Sequence, residues 1–104
     1  MKRVLFLCSR NLLRSPTAEQ VFRGREGLEV ASAGLAPDAE VPCSAELVAW
    51  ADVIFVMEEA HRRRLNARFG RWLRDKRVTC LGIPDDYAFM DPMLVVLLLE
   101  RVPL

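Results

Sequence analysis

The sequence has one histidine, one tyrosine, three cysteines and no long apolar stretch. A lone His61 argues against a metal centre. Cys8, Cys43 and Cys80 cannot all pair with one another, and none stands in the C-x-x-C spacing of a zinc site or a redox dithiol. The longest apolar run, Met93 to Leu99, falls far short of the roughly 20 residues that a membrane span needs. The start, Met-Lys-Arg-Val-Leu-Phe-Leu, runs on to Arg10 and Arg14 with no signal-like cleavage site. The expectation is a cytoplasmic chain with no metal, no cofactor and no membrane partner.

What remains is compact in character. At 104 residues, with 52% hydrophobic side chains and a mean hydropathy of +0.12, residues 1–104 make a single domain with one modest core. The net charge of +1 hides an uneven distribution. Arg62, Arg63, Arg64, Arg68, Arg71, Arg74, Lys76 and Arg77 stand against a single acid, Asp75, so segment 61–77 reads as a basic face.

Arg3 to Cys8 is apolar without polar alternation, the pattern of a strand buried on both sides. Ser15 suits a helix cap, with Pro16 at the first helical position, and Gly24 or Gly27 can end that helix. Leu28 to Ala33 reads as a second strand closed by Gly34, Ser44 to Ala51 as a short helix, and Val53 to Met57 as a third strand. Glu58 to Phe69 is helical, Val78 to Ile83 is a fourth strand, and Pro92 to Val102 is a helix capped by Asp91. Alternating strands and helices predict an α/β fold in three α/β/α layers around a four-stranded parallel sheet.

Ligands of such sheets bind beyond the carboxyl ends of the strands. There the sequence reads Phe-Leu-Cys-Ser-Arg-Asn-Leu-Leu-Arg-Ser-Pro, with Cys8 ending strand one. Ser9, Arg10, Asn11, Leu12 and Leu13 form a loop long enough to turn its backbone N–H groups toward one point, and the following helix adds its positive end. A cysteine among those donors, with Arg14 and the Ser15 hydroxyl nearby, is favoured as the thiolate and placed to attack phosphorus. Arg14 supplies the planar fork that two phosphoryl oxygens require.

This C-x5-R-S-P after an apolar strand resembles the phosphate-binding loop of the low-molecular-weight protein tyrosine phosphatases. Ser32-Ala33-Gly34, the strand Ala51 to Glu58 and the loop Ile83-Pro84-Asp85-Asp86-Tyr87 are similar to that family in the same order. The resemblance implies a flavodoxin-like fold and a metal-independent cysteine phosphatase acting on phosphorylated protein or small phosphoesters. Cys8 is implied as nucleophile, Arg14 as phosphoryl clamp and Asp85 as general acid, with Asp86 and Asp91 as its competitors. Asn11 is implied to tie the loop together through a left-handed backbone and Ser15 to stabilise the thiolate, with Tyr87, and Phe89 beside it, on the pocket rim. Leu13 stands where many members have a second cysteine, Arg10 where glycine is usual, and Asp86 where proline often follows the acid. The chain is shorter than the family pattern between strands three and four and around the acid loop.

Other readings use the same residues. The basic segment 61–77 could suit a nucleotide or RNA-terminal phosphate, including a 2′,3′-cyclic one. Arsenate reduction would need a relay that Cys43 and Cys80 do not offer by spacing. A non-catalytic phosphate-binding module would need neither a nucleophile nor an acid. Cys43 and Cys80 read as structural, Trp50 and Trp72 as packing residues, and His61 as a solvated residue on a basic helix.

Overall fold

A computed structural model describes residues 1–104. β1 (Lys2–Cys8) is the apolar N-terminal strand, and it pairs in parallel with both β2 (Leu28–Gly34) and β3 (Val53–Val56). β4 (Arg77–Cys80) adds to the far side of β3, giving the order β2-β1-β3-β4. A strand with partners on both edges and helices over both faces has no solvent side, and Val4 to Cys8 are all buried.

Successive side chains of β1 feed two layers. Val4, Phe6 and Cys8 pack with Ala18 and Phe22 of α1 (Arg14–Phe22) and with Leu94 and Leu98 of α4 (Pro92–Arg101). Leu5 and Leu7 pack on the other face with Val48 of α2 (Ala45–Trp50) and with Leu65 and Phe69 of α3 (Glu59–Phe69). Phe6 stacks on Phe22 and Phe55, with ring centroids 5.7 and 5.5 Å apart. Each such fully buried side chain contributes about 1.5–3 kcal/mol, so this three-ring stack anchors β1 beneath the loop that follows it.

Local chemistry sets most helix starts. Ser44 Oγ accepts the Leu47 N–H at 3.2 Å to cap α2, and Asp91 accepts the Met93 N–H at 2.9 Å to cap α4, with Pro92 at the first position. α1 departs from the sequence expectation. Ser15 does not cap it: the helix begins at Arg14, Leu13 is the flanking residue, and Thr17 Oγ1 donates back to the Leu13 carbonyl at 2.6 Å. The Ser15 hydroxyl is engaged with Cys8 instead.

β4 is also shorter than its apolar run. Leu81 and Ile83 still donate to Val56 and Met57 at 2.8 Å, but Gly82 adopts φ 66 and ends the extended conformation. On this edge strand Cys80 is only half-buried. The basic segment is partly spent on internal ties, with Arg62 donating to the Val78 carbonyl, Arg68 to Leu35 and Lys76 to Ala49. No helix is long and apolar enough to cross a membrane.

Candidate active site

The loop between β1 and α1 is moulded by the segment that follows β2. The carbonyls of Cys8, Ser9 and Arg10 accept N–H groups from Leu35, Ala36 and Glu40 at 3.0, 2.8 and 2.9 Å. With those oxygens turned outward, the loop's own amides are left for the interior of the curl. Gly34 makes this approach possible: a Cβ there would stand 2.5 Å from the Ser9 carbonyl oxygen and 2.6 Å from the Ala39 Cβ.

Asn11 closes the curl in a left-handed conformation, φ 59, which its short polar side chain tolerates. Its Nδ2 donates to both Ser15 Oγ and Ser32 Oγ at 2.9 Å, and Ser32 in turn donates to Glu19 Oε1 at 2.6 Å. Ser15 Oγ accepts from Asn11 and lies 2.9 Å from Cys8 Sγ and 3.4 Å from the Ala33 carbonyl, the two partners that face its own proton. The Asn11 backbone N–H donates to the same sulfur at 3.3 Å. The Cys8 sulfur thus has two polar neighbours, the Ser15 hydroxyl and the Asn11 N–H. Cys43 is the contrast, since burial in the apolar layer pushes its thiol up to about 11.

Arg14 is 3% exposed and held from the side away from the loop. Its Nη1 donates to Glu58 Oε2 at 2.6 Å and to the Ile83 carbonyl at 2.8 Å. Both Nη1 protons are therefore used, and Nη2 with Nε forms the fork available to a bound anion. Asp85 Oδ1 lies 3.6 Å from Arg14 Nε. The Arg14 hydrogen bond also holds the Glu58 carboxyl below the usual range.

A cavity of about 240 Å³ opens at this point, lined by Cys8, Ser9, Arg10, Leu12, Leu13, Arg14 and Asp85. Of the expected residues it brings these together, with Asn11 and Ser15 buried behind the sulfur. Asp91 is the α4 cap. Tyr87 and Phe89 do not line the cavity: Tyr87 packs against the α1–α4 layer and Phe89 lies exposed. Arg10, at the mouth, pairs with Asp38 at 2.9 Å.

Two residues escaped the sequence reading. Glu58, two residues beyond β3, seats Arg14, and His61 is not a solvated residue but 1% exposed. Its Nδ1 accepts the Glu58 backbone N–H at 3.1 Å, and its Nε2 lies 3.0 Å from Ser9 Oγ. The available signal was Glu58's place at a strand's carboxyl end, with His61 three residues on at the capping-box position. Burial first, then the Arg14 charge, lowers the His61 ring from 6.5 to about 4.

As pH falls from 6.5 toward about 4 the unfolded chain takes up a proton that the folded ring refuses, so stability present above pH 6.5 is lost across this window. The expected loss is about 3 kcal/mol. Urea titrations near neutral pH and near pH 4 check it, with His61→Asn as control. The parent should lose more than the variant by that amount, and an equal loss would remove His61 as the source.

No protein-family model and no curated protein matches the chain. Solved structures do. A YwlE arginine phosphatase variant with a phosphorylated active-site serine in place of cysteine is 26% identical over 92% of this chain and 90% of that one, with a TM-score of 0.72. Wzb of Vibrio vulnificus, in complex with benzylphosphonate, is 22% identical over 94% of this chain and 90% of that one, TM-score 0.74. The low-molecular-weight protein tyrosine phosphatase of Streptococcus pyogenes is 16% identical over 96% and 90%, TM-score 0.78.

Proposed function

We propose that this chain is a member of the low-molecular-weight protein tyrosine phosphatase family and hydrolyses phosphomonoesters at Cys8 through a thiophosphate intermediate, with aryl phosphates, nominally protein phosphotyrosine, as the substrate class. The observation that carries this reading is one cavity holding the Cys8 sulfur with its two polar neighbours, the Arg14 guanidinium and the Asp85 carboxyl 3.6 Å from Arg14 Nε.

In the first step the Cys8 thiolate attacks phosphorus, the bond to the leaving oxygen breaks, and protonated Asp85 gives that oxygen its proton. In the second step the Asp85 carboxylate takes a proton from water as the water oxygen attacks, and the thiolate leaves. The loop amides and Arg14 hold the three phosphoryl oxygens throughout, where charge is spread in the transition state.

Leu12 and Leu13 form the apolar part of the lining, which suits an aryl ring above the phosphate. No residue of 62–77 lines the cavity, so nothing at the site favours a nucleotide substrate. Turnover of p-nitrophenyl phosphate, a phosphotyrosine peptide, phosphoarginine and a nucleoside 2′,3′-cyclic phosphate, compared side by side without added metal, tests the substrate class. Release of phosphate from the first two is expected. Turnover confined to phosphoarginine or to the nucleotide would overturn the aryl assignment.

Asp85→Asn tests the acid. A general acid matters most for a poor leaving group, so phenyl phosphate turnover should fall by about 100-fold or more and that of 2,4-dinitrophenyl phosphate far less. Equal loss on both substrates would take the proton-donor role away from Asp85.

A further inference from the structure

We propose that His61 is a positioning residue of the phosphate loop: as the neutral Nε2–H tautomer it ties Ser9 to the Glu58 segment that seats Arg14. The proposal rests on reading the Cys8 to Arg14 loop as a phosphate site.

The tautomer follows from the partners. Nδ1 accepts the Glu58 N–H, so it carries no proton, and the single ring proton of a neutral imidazole must then be on Nε2, facing Ser9 Oγ at 3.0 Å. The charged groups around the ring are Arg14, Glu58, Arg64 and Asp85, and burial with Arg14 keeps it neutral at physiological pH. Glu58 Oε2 lies 3.8 Å from Nε2 and 2.6 Å from Arg14 Nη1. One ring therefore bridges the first residue after the nucleophile and the residue holding the clamp.

The effect on the loop is geometric. The Ser9 carbonyl is fixed by Ala36 N–H at 2.8 Å and its hydroxyl by His61, so Ser9 is held from two sides. Without the imidazole bond the hydroxyl is free to rotate, and the loop's donors are no longer set in advance for an anion. A merely structural histidine would act through Nδ1 alone, as the partner in the α3 capping box.

The two functions separate by side-chain length. Asparagine offers an acceptor near the Nδ1 position but does not reach Ser9, whereas glutamine offers a donor near the Nε2 position. The readout is inorganic phosphate binding by calorimetry, which needs no turnover. His61→Asn and Ser9→Ala should each weaken phosphate binding by roughly three- to tenfold, the worth of about one hydrogen bond. The double variant should be no weaker than either single one, and His61→Gln should bind nearly as the parent does.

Unchanged phosphate binding in His61→Asn, or additive losses in the double variant, would overturn the proposal. If His61→Asn does not fold, Ser9→Ala alone decides: it must weaken phosphate binding, and parental affinity in that variant refutes the tie. A parent chain that binds no phosphate would instead remove the site reading itself, and this proposal with it.

Discussion

Replacing Cys8 by serine is expected to lower turnover by at least about 1,000-fold while leaving phosphate binding within a few-fold of the parent. The two residues differ by one atom, and the polar neighbours of the sulfur remain: the Ser15 hydroxyl and the Asn11 N–H. What is lost is the sulfur nucleophile, because a serine hydroxyl ionises far less readily than a thiol. Turnover of p-nitrophenyl phosphate and calorimetric titration with inorganic phosphate separate the two quantities. Retained turnover would place the attacking group elsewhere. Loss of both would show that the sulfur is part of the cradle's architecture rather than the atom that attacks.

Arg14→Lys should be nearly as damaging, with kcat/KM reduced by about 1,000-fold despite the conserved charge. Arg14 serves two sides at once, with Nη1 on Glu58 and the Ile83 carbonyl while Nη2 and Nε remain for the anion. A lysine ammonium is a single point of charge and cannot reproduce a flat fork shared between a carboxylate and two phosphoryl oxygens. It would settle on Glu58, leave the Ile83 carbonyl without its partner and withdraw from the cavity. Steady-state kinetics with urea unfolding as the fold control checks this. Activity within tenfold of the parent would mean that positive charge alone is sufficient and that the fork geometry is not used.

Much of the scaffold is written in local pattern. The apolar run ending at Cys8, the Ser44 and Asp91 caps and the alternation of strands with helices act within a few residues, and the sheet follows from them. The loop is legible for the same reason, since Cys8, Asn11, Arg14 and Ser15 act within one turn of chain. Glu58 and His61 were not legible because their partners lie 44 and 52 residues away, at Arg14 and Ser9. A histidine in a basic helix reads as solvated until the fold places it against a buried loop. For Ser15 only the cap reading fails: a serine before proline has the local signature of a cap, whereas the hydroxyl lies beside the Cys8 sulfur, as the loop motif led one to expect. Tyr87 follows the acid loop in sequence, yet apolar packing against α1 and α4 takes its ring away from the mouth.

The central place of β1 also sets an order in time. A growing chain makes Cys8, Asn11, Arg14 and Ser15 together, and β2 can complete the outer wall of their loop soon afterwards. Glu58 comes later, and the Ile83 carbonyl that also holds Arg14 is 69 residues downstream of it. During synthesis the thiol and its cradle therefore exist before the clamp is seated and before Asp85 emerges. Since contacts of such long span close slowly, phosphoryl chemistry waits for the last strand and the loop beyond it. On the proposed reading, a ribosome-bound chain short of Asp85 would lack the carboxyl assigned as proton donor, so release of the acid loop would complete the site.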